Sequence, residues 1–143
     1  MSKDPELHKK YTGFMTDLFD KDYARKVTSQ ELGPLGTHWY LPHHPVFNPQ
    51  KPDKTRVVFD CSASYKGQSL NSALLRGPDL TNTLVGMLTR FREEPIAFIS
   101  DIQAMFHQVH VRPSNCNALR FLCCDDLDRE PEEYQMMVHL FGG

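Results

Sequence analysis

The sequence predicts an α+β fold, and three stretches carry that expectation. Leu7, Tyr11, Phe14, Met15, Leu18 and Phe19 recur at helical spacing, with Lys9, Lys10 and Asp17 on the other faces. Pro45-Val46-Phe47 and Thr55-Arg56-Val57-Val58-Phe59 read as extended arms around the turn-rich stretch from Asn48 to Lys54. Ile96-Ala97-Phe98-Ile99 is a short apolar run of the kind that forms a buried strand.

In chain order, Asp4-Pro5-Glu6 opens the first helix with a capping Asp, a Pro in the first turn and an acid near the positive end of the dipole. Gly33-Pro34-Leu35-Gly36 breaks the pattern and marks a linker. Residues 1–36 are therefore expected to be a helical lead-in, and residues 37–143 a second unit. The turn between the two arms places Lys51 and Lys54 near a hairpin tip and Arg56 on the returning strand. On their own, three cations there are ordinary surface charge.

Ser62 to Arg76 reads as a loop, and Gly77-Pro78-Asp79 as the start of a second helix carrying Leu80, Leu84, Met87, Leu88 and Phe91. That helix must end before Pro95, because the residue ahead of a proline is pushed out of helical geometry. The buried strand Ile96–Ile99 follows, then Asp101 at its exit, where an acid is ordinarily a turn former or a cap. From Phe106 a second extended run sets Val109 and Val111 against Gln108 and His110. Arg112 to Asn115 is a turn, Ala118 to Leu122 a strand, Asp125 to Glu133 an acidic loop, and Gln135 to Phe141 another extended apolar run.

Composition narrows the function classes. At 143 residues, 40% hydrophobic and 10% aromatic, the chain suits a globular domain, or a piece of a larger one, rather than a disordered segment. A net charge of −2 makes it no general trap for nucleic acid, so any such attraction is local. No apolar run reaches membrane-spanning length, and Met1-Ser2-Lys3-Asp4 leads into no signal-peptide core. Cys61, Cys116, Cys123 and Cys124 lack the spacing of a disulfide scaffold, which predicts a reduced intracellular setting.

Asp101-Ile102-Gln103-Ala104-Met105-Phe106-His107-Gln108-Val109 resembles the first carboxylate motif of reverse transcriptases. Trp39 through Phe47, Arg56-Val57-Val58-Phe59-Asp60-Cys61-Ser62, Gly77-Pro78-Asp79-Leu80, and Tyr134-Gln135-Met136 through Phe141-Gly142-Gly143 resemble, in order, the Pao/BEL group of long-terminal-repeat retrotransposons. The resemblance implies part of a right-hand polymerase, with fingers at 37–76 and 112–143 and the start of the palm at 77–111. It also implies RNA-directed, template-dependent addition of deoxynucleotides to a primer, with Mg2+ as cofactor. The partners would be an RNA template, a DNA primer, dNTPs and the rest of a retroelement polyprotein, in the cytoplasm or a retroelement particle.

Residue by residue, the resemblance makes Asp101 the catalytic carboxylate and metal ligand, and Lys54 and Arg56 contacts to the triphosphate. Phe106 becomes the gate whose bulk meets a ribose 2′-hydroxyl. Arginine suits the phosphate role because its planar fork binds two oxygens at once. Where many relatives carry a second Arg after the Asp, this chain has Cys61-Ser62. The family takes two further carboxylates from a Tyr-x-Asp-Asp hairpin, which this chain lacks. The resemblance therefore implies a fragment that is inactive alone. Two other readings compete. One is a nucleic-acid-binding remnant without catalysis. The other is a zinc module using His43, His44, His107, His110, Cys123 and Cys124, whose adjacent pairs suit a tetrahedral ion poorly.

Overall fold

The computed structural model describes residues 5–31, 34, 36–48, 50–75, 77–124 and 130–140, with backbone alone for residues 29, 48 and 51–54. Helix α1 spans Pro5–Asp20 and buries Tyr11, Met15 and Leu18, one face of the stripe read from the sequence. Its proposed capping residue, Asp4, lies outside the described residues. The helix ends in a Schellman turn: Asp22 N–H bonds the Phe19 carbonyl at 3.0 Å and Tyr23 N–H the Leu18 carbonyl at 2.9 Å. Asp22 takes the left-handed position (φ 56°) that glycine more often fills. The turn delivers the chain directly into strand β1, Ala24–Lys26.

Strands β2 (His43–Asn48) and β3 (Lys51–Phe59) form the expected hairpin, paired antiparallel with His43 opposite Phe59 and Val46 opposite Arg56. Alternation sorts its two faces. Val57 and Phe59 are buried beneath it, while His44, Val46 and Arg56 are exposed on the other side. The turn is tighter than the sequence suggests. Strand β3 begins at Lys51, so Lys54 stands on a strand rather than in a loop.

Two late strands complete the architecture: β4, Arg120–Cys123, and β5, Glu132–Met136. They join β1 in an antiparallel sheet ordered β1-β5-β4, with Ala24 opposite Met136 and Phe121 opposite Tyr134. Residues 39–41 run parallel to the β4 edge. Arg120 N–H bonds the Trp39 carbonyl at 3.1 Å, and Leu41 N–H the Arg120 carbonyl at 2.7 Å. These bonds lead the chain from the sheet into the hairpin. The core is where α1, the hairpin and the sheet meet: Tyr11, Met15, Leu18, Val57, Phe59, Phe121, Tyr134 and Met136 pack there. The protein is thus α+β, and none of its described helices is long and apolar enough to cross a membrane.

Several expectations need correction. Ile96–Ile99 forms no strand; Phe98 and Ile99 are each 87% exposed, and among the described residues no segment pairs with them. An apolar strand is stable only with hydrogen-bonded neighbours and a covered face, and here it has neither. The second helix begins not at Gly77 but at Leu84: α2 spans Leu70–Ala73 and α3 Leu84–Phe91. Thr83 caps α3 by accepting from Gly86 N–H at 3.2 Å, whereas Asp79 turns back on Thr81 N–H at 2.9 Å.

Helix α2 also interrupts the expected 62–76 loop, capped reciprocally by Ser69 and Ser72. The expected run from Phe106 is extended only at its end, because Met105–Gln108 is a 3-10 turn. Another 3-10 helix, Pro113–Leu119, precedes β4, so that strand starts at Arg120 rather than Ala118. Strand β5 begins at Glu132, inside the expected acidic loop, and ends at Met136, while Phe141 lies outside the described residues. The 33–36 linker and the 125–129 part of the acidic loop also fall wholly or partly outside them.

Candidate functional site

The hairpin sets the first element of the site. Asp60 follows β3 and its carboxylate closes a turn, accepting from Ser62 N–H at 2.9 Å, Ser62 Oγ at 2.5 Å and Ala63 N–H at 3.1 Å. Those bonds, the Ser62 hydroxyl foremost, hold its pKa below the usual carboxylate range. Asp60 N–H also bonds the Pro42 carbonyl at 2.8 Å, which ties both ends of the hairpin together. Sequence reasoning gave Asp60 no role, although Asp-x-Ser is a recognisable turn signal. Upstream of it, Arg56 is exposed on the outward face of β3. Lys54 lies two residues earlier on the same strand, and its side chain is outside the described residues.

The second element is the turn after Asp101. Ala104 adopts a left-handed backbone (φ 51°), a conformation that costs an alanine about 1 kcal/mol. Local bonds hold it there: His107 N–H to the Ala104 carbonyl at 2.8 Å and Gln108 Nε2 to the Gln103 carbonyl at 3.1 Å. The reversal turns Phe106 onto the wall of a cavity of about 960 Å³, shared with Cys61, Leu70, His110, Arg112 and His139. Beyond the turn, Val111 N–H bonds the Met137 carbonyl and His139 N–H the Val109 carbonyl, both at 2.9 Å, which anchors the segment to the end of β5.

On the opposite side of this turn, His107 packs on Tyr23 with ring centroids 4.8 Å apart. The pair lines a smaller cavity of about 350 Å³ with Phe14, Lys21, Gln103 and Gln108. Burial, and secondarily the Lys21 charge, hold the His107 pKa below that of a free imidazole.

The structure does not gather the sequence-predicted residues into one centre. Phe106 lines the larger cavity, but Asp101 and Arg56 do not. Asp101 is exposed and lies outside any helix or strand. Among the described residues, no three His, Cys, Asp or Glu side chains come together as a group able to hold a metal ion. Asp101 alone does not fit a two-ion magnesium centre, which needs several carboxylates, and no catalytic step is derived through it.

The polar constellations that the structure does assemble were absent from the sequence reading. Arg120 is fully buried and bonds Glu133, Asn117 and the Glu31 carbonyl. Tyr11 and His43 meet between α1 and β2. Both depend on pairings distant in sequence, and only the presence of Tyr11 in the apolar stripe hinted at the second.

No family model matches the chain, and no curated protein does.

Proposed function

We propose that this chain supplies the fingers hairpin and the first palm segment of a right-hand, RNA-directed DNA polymerase of the Pao/BEL retrotransposon type. The observation that carries the reading is the hairpin. It pairs in the register that turns Arg56 outward, at the position where the resembled motif meets the triphosphate of the incoming nucleotide. The ordered run of motif likenesses from Trp39 to Tyr134 supports it.

In this reading Asp101, which follows the exposed Ile96–Ile99 run, is the first of three metal carboxylates. The chain's own residues have other tasks: Arg56 and Lys54 hold phosphate oxygens, and Phe106 crowds the sugar. Template RNA, primer and dNTPs are the partners.

Primer extension tests the proposal. Residues 1–143 with magnesium or manganese should extend no primer, because one carboxylate holds such an ion weakly against its own hydration. The same chain continued through its downstream coding sequence should extend one, and Asp101→Asn should abolish that activity. Extension that survives Asp101→Asn would sink the assignment. In the longer enzyme, Arg56→Ala should raise KM for dNTP or lower kcat by about tenfold to a hundredfold, the loss of one charge-assisted phosphate contact of about 1.5–3 kcal/mol. Phe106→Val should shift the ratio of kcat/KM values toward ribonucleotides; an unmoved ratio would return Phe106 to a packing role.

A further inference from the structure

We propose that the Tyr11–His43 contact is an acid-sensitive latch, which holds α1 against the β2–β3 hairpin and opens when the His43 imidazole takes up a proton. This inference is independent of the polymerase reading. Its basis is a cage built from separate elements. From α1, the Tyr11 hydroxyl lies 2.7 Å from His43 Nε2, with the two rings nearly parallel, 5.8 Å apart and inclined by 12°. From β3, Phe59 stacks on the imidazole at 5.2 Å. From β4, Phe121 meets it edge-on at 5.6 Å, and Cys123 Sγ lies 3.8 Å from the Tyr11 hydroxyl.

The groups around His43 suit a neutral ring. The Leu41 backbone also acts on the imidazole, and the Tyr11 hydroxyl meets its Nε2 at 2.7 Å. The titratable neighbours are Tyr11 from α1, Cys123 and Cys124 at the end of β4, and His44 on its own strand. Among the described residues no carboxylate acts on the ring. A charged imidazole would therefore sit between two phenyl rings, next to a second histidine and with no counter-ion among the described residues.

Burial lowers the His43 pKa, the nearby His44 adds to the effect, and the Leu41 backbone bond partly opposes it. Tyr11 cannot relieve the charge by ionising, because burial and the neighbouring thiols push its own pKa up. A histidine depressed in the folded state binds a proton more readily once released. The latch is thus closed above the ordinary imidazole pKa of about 6.5 and weakens as the pH falls through that value. Since α1 buries only Tyr11, Met15 and Leu18, it is the element that such a change would free.

Amide hydrogen exchange, corrected for the intrinsic effect of pH, reads the opening directly. Between about pH 7.5 and 5.5 the amides of α1 should lose protection while those of the β2–β3 ladder keep theirs. His43→Gln, which retains an acceptor for Tyr11, should abolish that selective loss, and His44→Gln should leave it in place. If His43→Gln does not fold, Tyr11→Phe serves: its α1 should already be less protected at pH 7.5 and converge on the wild-type value at pH 5.5. A proton-detected titration of the wild-type imidazoles gives an independent readout. A His43 ring already charged at pH 6.5, equal loss from α1 and hairpin, or an unchanged pH response in His43→Gln would each overturn the proposal.

Discussion

Arg120→Ala is expected to destabilise the protein by about 3–5 kcal/mol, a large share of the roughly 5–15 kcal/mol that holds a domain of this size. Arg120 has no exposed surface, and its guanidinium ties the stretch before β4 to β5 and to Glu31. Nη1 bonds Glu133 on β5 at 3.1 Å, while Nη2 bonds the Glu31 carbonyl at 2.6 Å and Asn117 Oδ1 at 2.8 Å. Its backbone carries the contact with residues 39–41 that leads into the hairpin.

Removing the side chain leaves Glu133, whose side chain is 27% exposed, without its cation and Glu31 without a donor on its carbonyl. Arg120→Met restores the volume of the stem and should cost less, so the difference between the two variants reads packing against polar bonding. Glu133→Gln should also be costly, because it strands a fully buried charge. Urea denaturation followed by the fluorescence of Trp39, which packs beside this cluster, measures all three. A loss below about 1 kcal/mol for Arg120→Ala would mean that the guanidinium is a passenger in the core.

Phe121→Ala should cost a similar amount, about 3–5 kcal/mol, for a different physical reason. Phe121 is also fully buried, and its ring lies 5.0 Å from Phe59 edge-on and 5.8 Å from Tyr134 in a near-parallel stack. It is where the hairpin and the sheet touch. Truncation removes those contacts and leaves a void that a two-stranded hairpin on one side and a sheet on the other close only partly. Phe121→Leu should cost less than half as much. Added salt should leave the Phe121 effect unchanged and alter the Arg120 effect, because only the latter involves charge. Thermal melts of both variants in low and high salt would separate the two.

How much was legible in the sequence follows from the range of each signal. Helix α1 and the β2–β3 hairpin were readable because periodicity, alternation and turn residues are local, and they decide local conformation. Ile96–Ile99 misled for the same reason. An apolar run states that something must cover it without saying what, and here every described residue from Asn71 to Phe106 is exposed. Strand β5 was blurred by Glu132 and Glu133, charges that suggest a loop. Glu133 in fact faces Arg120, and Glu132 bonds Lys26 at 2.6 Å across the β1–β5 pair.

Of the candidate site, the sequence correctly placed Arg56 on the returning strand of the hairpin. It could not show that Phe106 reaches its cavity through a left-handed Ala104, since nothing about an alanine announces that conformation. Arg120 and His43 were invisible as anchors because partners such as Glu31, Glu133 and Tyr11 lie far from them along the chain.

The strand order β1-β5-β4 has a consequence for how the molecule survives damage. Early strand β1 is clasped to late strand β5, and Met137 N–H also bonds the Tyr23 carbonyl at 2.8 Å, so these early and late segments belong to one hydrogen-bonded unit. The exposed excursion through α3 serves that unit only as a tether. Cleavage after Arg90 or Arg92 would remove a covalent connection without breaking a ladder, and the entropy of closing so long a loop changes only slowly with its length. The nicked protein should therefore migrate as one particle under native conditions and separate into two pieces only in denaturant. A protein made as two separate chains, broken at the same place, should reassemble on mixing.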